Sequence, residues 1–142
     1  MIPGGFDNHG RPTARATPYF PVHGSAVPVT FLIDTGSTQT IVMPLDASRL
    51  RIDCSRLGRP ILVNGIGGPS EVYIVKDVPI TFGEGASKYT FETDVRVMDP
   101  GAHPLIKLPS ILGAGVWRHW NLSICADVGH LAIDPRRSPD GL

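Results

Sequence analysis

Four consecutive residues, Asp34-Thr35-Gly36-Ser37, are the part of this chain best equipped for chemistry. The apolar residues Phe31-Leu32-Ile33 precede the acid, so it falls at the end of a buried strand rather than on a loose loop. An aspartate in that place has two readings. It caps its own turn, as strand-terminal Asp often does, or it is one half of a two-carboxylate site in which an acid and a base share a proton. Taken alone, Asp34 reads as a turn residue. Its neighbours add chemistry: Gly36 removes a Cβ and lets another chain or a substrate approach. Thr35 and Ser37 place hydroxyls where they orient a carboxylate or nearby backbone.

Other chemistries have weaker support. The histidines His9, His23, His103, His119 and His130 show no paired-ligand spacing, so no metal is expected. Gly65-Ile66-Gly67-Gly68 lacks dinucleotide-fingerprint spacing and leads into a β-rich run, so no cofactor is expected. Neither Ser37 nor Ser110 lies in a nucleophile elbow. Cys54 and Cys125 are far apart and form no redox or zinc motif, and both read as small buried hydrophobes. Trp117 and Trp120, with Val116, read as packing of a short helix. Lys plus Arg equals Asp plus Glu, so no basic face is implied and no nucleic-acid partner is expected. No apolar run reaches membrane-span length, and residues 1–18 lack the apolar core of a signal peptide. The compartment stays open between the cytoplasm and a soluble domain of a membrane-anchored protein.

The elements that must position Asp34 are short. Sixteen glycines and fourteen prolines in 142 residues cut the chain into pieces and favour an all-β fold. Residues 1–17, rich in Gly, Pro, Arg and Thr, read as a flexible arm, residues 18–134 as one domain, and residues 135–142 as a polar tail. Tyr19 to Val22 and Val27 to Ile33 read as a hairpin around His23-Gly24-Ser25. Thr40-Ile41-Val42 is a strand, and Pro44 opens a short helix reaching Leu50. Pro60 to Val63 and Glu71 to Val75 form a hairpin around a glycine-rich tip. Val78 to Phe82 pairs with Tyr89 to Val97, whose alternation gives one wet face. Ser110 to Gly113, a short helix within Ala114 to Trp120, and a hairpin of Leu122 to Ala126 with His130 to Ile133 complete the order.

The run Phe31-Leu32-Ile33-Asp34-Thr35-Gly36-Ser37 resembles the apolar-apolar-Asp-Thr-Gly-Ser/Ala signature of aspartic proteases. One signature in so short a chain is similar to the retropepsin-like members, in which two identical chains each donate one Asp. Asn64-Gly65-Ile66-Gly67-Gly68 sits where that family carries its flap. Ser110-Ile111-Leu112-Gly113 resembles the apolar-apolar-Gly element beside the active-site loop. Leu122 to Asp127 and Gly129 to Ile133 resemble the closing hairpin of cellular members. The likeness spans about residues 18–134. The chain departs from the pattern at Ala114-Gly115, where many cellular relatives place an Asp or Arg, and its segment from flap to Gly113 is longer than in viral enzymes.

The resemblance implies an all-β, closed acid-protease barrel with a flap hairpin and one short C-terminal helix. It implies a homodimeric endopeptidase with Asp34 catalytic and Thr35, Gly36 and Ser37 in support. Thr35 would reach the partner's loop, and Ser37 would hydrogen-bond the outer oxygen of Asp34. Gly65, Ile66 and Gly67 would hold an extended peptide, and Ile111, Leu112 and Gly113 would pack beside the site. Two carboxylates about 3 Å apart repel by roughly 5 kcal/mol at an effective dielectric near 20, so they hold one proton between them, as is established for aspartic proteases as a class. One member takes a proton from water and the other donates to the peptide carbonyl. Two alternatives stay open: a non-catalytic module of the same fold that binds peptides or proteins, and a zymogen-like domain that needs segments outside this chain.

Overall fold

The computed structural model describes residues 2–21, 26–65, 68–83, 85–100 and 107–136. Among these residues ten strands dominate: β1 (Gly4–Phe6), β2 (Pro12–Pro18), β3 (Val29–Ile33), β4 (Thr40–Val42), β5 (Ile61–Gly65), β6 (Gly68–Phe82), β7 (Tyr89–Met98), β8 (Ser110–Leu112), β9 (Trp120–Cys125) and β10 (His130–Pro135). Helix α1 (Pro44–Arg49) and helix α2 (Ala114–Trp117) are short. In the larger sheet the order is β1-β2-β3-β8-β4-β7-β6-β5, and β2 also pairs with β6. That extra pairing closes β2, β3, β8, β4, β7 and β6 into a six-stranded barrel, as the all-β reading anticipates. The hairpin β9–β10 forms a separate two-stranded sheet.

Alternation builds the barrel. In β3, Val29, Phe31 and Ile33 point inward, while in β7 Val95 and Val97 are buried and Glu92 and Asp94 exposed. Phe82, Phe91 and Trp120 meet edge-to-face at one end of the core, with Phe82 and Trp120 centroids 5.1 Å apart. The 15-residue β6 runs from the glycine-rich tip to the barrel wall. A bulge at Lys76 and Asp77 separates its two halves, and Asp77 adopts φ 51° there. Asp94 holds the bulge by accepting from Asp77 N at 3.1 Å and Lys76 Nζ at 3.2 Å. The tip and the wall therefore belong to one continuous strand.

Three expectations are corrected. The flexible arm at residues 1–17 is instead sheet: Thr13-Ala14-Arg15-Ala16-Thr17 alternates with period two, and Ala14 and Ala16 are buried. Small alanines carry that inward face, so the apolar signal is faint in the sequence. Ile2 is buried too, and its N–H donates to Ile133 O at 2.9 Å. The first hairpin consequently pairs β2, not Tyr19 to Val22, with β3. Its expected turn at His23, Gly24 and Ser25 lies outside the described residues, as do 137–142 of the polar tail, while Pro135 still belongs to β10. No helix among the described residues is long and apolar enough to cross a membrane.

The third correction concerns the thiols: Cys54 is buried, but Cys125 is exposed, at the end of β9, whose last three residues are all exposed. Burial, aided by Asp99 and Asp53, pushes the Cys54 thiol up to about 11. We expect native protein at pH 8 to take one alkylating group, at Cys125, and a second only after unfolding, as read by mass spectrometry. The raised value also sets a pH limit. An unfolded thiol ionises near 9.0, so the protonated thiol's contribution to stability is intact below that pH and is lost as pH climbs toward 11. Cys54→Ala should flatten that decline.

Candidate active site

The active-site loop follows directly from β3. Asp34 is half-buried, and its Oδ1 accepts the Gly36 N–H at 2.9 Å. This is the turn-capping role, but it engages one carboxylate oxygen only. Oδ2 takes no hydrogen bond among the described residues, so the second oxygen remains for a reacting partner. A Cβ at Gly36 would come 3.3 Å from Oδ1 and crowd the carboxylate. Asp34 O accepts from Ser37 N at 3.1 Å and from Trp117 Nε1 at 3.2 Å. Among the described residues, every hydrogen bond to Asp34 comes from an N–H and none from a second carboxyl.

Strand β8 underlies this loop. It runs parallel to β3, with Ile33 opposite Leu112, and antiparallel to β4, with Ile41 opposite Ile111. Leu112 is buried, Ile111 half-buried, and Leu112 O accepts from Asp34 N at 3.4 Å. Gly113 is buried against Gln39. A Cβ there would collide with the Gln39 backbone nitrogen, carbonyl carbon and carbonyl oxygen. Gly113 N donates to Thr40 Oγ1 at 3.0 Å, and Ala114 N donates to Ser37 O at 3.0 Å. The structure thus brings Asp34, Gly36, Ser37, Ile111, Leu112 and Gly113 together.

Ser37 does not fill the role that the resemblance implies. Its Oγ donates to Gln39 O at 2.8 Å and accepts from Gln39 N at 3.2 Å, so it braces the loop rather than the Asp34 carboxylate. Thr35 is exposed and makes no side-chain hydrogen bond among the described residues. Gly65 pairs with Gly68 at the end of the β5–β6 hairpin, while Ile66 and Gly67 lie outside the described residues.

Several positioning residues escape sequence reasoning. Thr40 and Ser110 are buried polar residues at the starts of the apolar pieces Thr40-Ile41-Val42 and Ser110-Ile111-Leu112. Ser110 Oγ accepts from Met43 N at 3.0 Å and donates to Asp46 Oδ2 at 2.7 Å, which ties β8 to α1. Both hydroxyls are satisfied, so neither is a spare nucleophile. A small hydroxyl residue opening an inward-facing strand was the available signal. No group of three or more His, Cys, Asp or Glu residues among those described is placed to hold a metal.

A closed barrel whose third strand delivers one Asp-Thr-Gly-Ser turn, seated on an apolar-apolar-Gly strand, defines a retropepsin-like aspartic protease fold. This chain belongs to the aspartyl protease family, whose profile matches residues 21–114. Among solved structures it is similar to a retropepsin-like aspartic protease from Rickettsia conorii. That similarity has 19% identity and a TM-score of 0.62, covering 94% of this chain and 96% of that one. It is also similar to the EIAV protease solved with the inhibitor HBY-793. There the identity is 20% and the TM-score 0.51, covering 80% of this chain and 90% of that one. A search of curated protein sequences returned no match.

Proposed function

We propose that two copies of this chain assemble into an aspartic endopeptidase in which each contributes Asp34. The observation that carries this reading is the lone carboxylate itself: Asp34 is fixed by three N–H donors, keeps Oδ2 unengaged, and has no second carboxyl bonded to it among the described residues. One carboxylate cannot be both acid and base in the same step. A second copy supplies the missing partner about two-fold symmetry, which places identical groups face to face. The pair then shares one proton. The ionised member takes a proton from a bound water as that water attacks the peptide carbonyl, and the protonated member donates to the carbonyl oxygen.

Thr35, exposed at the loop, is suited to contact the partner's loop. Backbone groups around Gly65, Ile66 and Gly67 would take an extended peptide by strand addition. Among the described residues strand β5 ends the sheet order, an edge suited to such pairing. The reaction needs no metal or organic cofactor.

Two measurements test the reading together. Sedimentation equilibrium over a range of concentrations at acidic and neutral pH should reach the mass of two chains. Cleavage of a diverse peptide pool should stop when a statine-type transition-state mimic is added. A chain that stays monomeric throughout would favour a peptide-binding module instead. Undiminished cleavage with the mimic present would point to another nucleophile.

A further inference from the structure

Helix α2 contains Ala114, Gly115, Val116 and Trp117, and only Trp117 carries a polar side-chain atom. Val116 is fully buried, and the half-buried Trp117 ring packs against the same core. The far end of that ring points its N–H at Asp34 O, 3.2 Å away and 83 residues distant in sequence. The contact matters because Asp34 is otherwise lightly anchored. Its own N–H reaches Leu112 O only at 3.4 Å, and its remaining bonds come from Gly36 and Ser37 within the same turn. Trp117 is thus the one side chain outside the loop, among the described residues, that hydrogen-bonds Asp34. Two glycines set the depth at which the helix sits. Gly113 lies against Gln39 backbone, and a Cβ at Gly115 would approach Thr93 Oγ1 to 2.6 Å.

We infer that Trp117 is a positioning residue for catalysis: its indole N–H fixes the Asp34 peptide group, and through it the angle at which the carboxylate is presented to its partner. A carbonyl with two donors resists rotation about the Asp34 backbone. The kinetic part of this inference rests on the peptidase reading, while its spectroscopic part does not.

The test replaces Trp117, by site-specific incorporation, with β-(3-benzothienyl)alanine, in which sulfur stands where the indole N–H was. Trp117→Phe serves as a second variant. The same replacement at Trp120 is the control, because that buried indole N–H has no hydrogen-bond partner among the described residues. On a peptide selected from the pool, removing the Trp117 N–H should lower kcat about fivefold. KM should hold within about twofold, since substrate contacts are untouched. The Trp120 control should match wild type in both constants. Unchanged kcat at position 117 would overturn the inference. If wild type cleaves nothing, the peptidase reading falls and carbon NMR of the Asp34 carboxyl decides the matter. A displaced Asp34 carboxyl resonance on loss of the Trp117 N–H supports the positioning role, and an unmoved resonance rejects it.

Discussion

Replacing Asp34 with Asn is expected to abolish cleavage of every peptide in the pool and to leave the fold intact. The side-chain amide oxygen can still accept the Gly36 N–H that Oδ1 accepts at 2.9 Å, so the turn keeps its cap. Stability should stay within about 0.5 kcal/mol of wild type for so conservative a change. Chemistry should fail because an amide takes no proton from water near neutral pH. A dimer of variant chains loses both members of the concerted pair, which should cost on the order of a thousandfold or more. Mixing the two proteins sharpens the test. After subunit exchange at equal amounts, about a quarter of the dimers carry both carboxylates, and activity per wild-type chain falls to about half. An active monomer would ignore the variant altogether. Residual cleavage by Asp34→Asn alone, read by mass spectrometry, would place the catalytic group elsewhere.

What the sequence disclosed about the fold depended on how strongly each strand advertises its inward face. In β3 the inward residues are Val29, Phe31 and Ile33, and in β7 Val95 and Val97, so alternation was plain. In β2 the inward residues are Ala14 and Ala16, among Pro, Thr and Arg, and the segment passed for an arm. Closure of the barrel through β2 and β6 is a long-range pairing, Thr17 opposite Thr81, that no local pattern encodes. The site divides the same way. Asp34, Gly36 and Gly113 were legible because a carboxylate or a glycine in a fixed motif has few reasons to be there. Ser110, Thr40 and Trp117 act across 64 to 83 residues of chain, through hydrogen bonds that depend on which strands become neighbours. The role of Ser37 was misread for a local reason. Gln39 N and O lie within reach of its hydroxyl and engage it first.

Gly113→Ala should be the most damaging of the conservative substitutions in the loop's foundation. The added methyl would collide with the N, C and O atoms of Gln39, all backbone, so no side chain can rotate out of its way. Relief requires β8 and β4 to separate, and they are held by the Ile41–Ile111 register and the Gly113 N–H bond to Thr40 Oγ1. Overpacking of this kind costs about 1–3 kcal/mol, and a backbone obstacle places it at the upper end. A loss of about 3 kcal/mol in a domain this size lowers Tm by roughly 10 °C, measurable by calorimetry. The effect on rate should exceed the effect on folding. Asp34 takes its outside support from Leu112 O and the Trp117 indole, and both lie on the segment that would be displaced. At a temperature well below the lowered Tm, kcat should therefore still fall more than about tenfold. Gly115→Ala is the matched comparison. Its methyl meets the Thr93 hydroxyl, which can turn aside, and it should cost under about 1 kcal/mol. Equal damage from the two substitutions would mean that helix α2 as a whole, rather than the contact between Gly113 and Gln39, sets the seat of the catalytic loop.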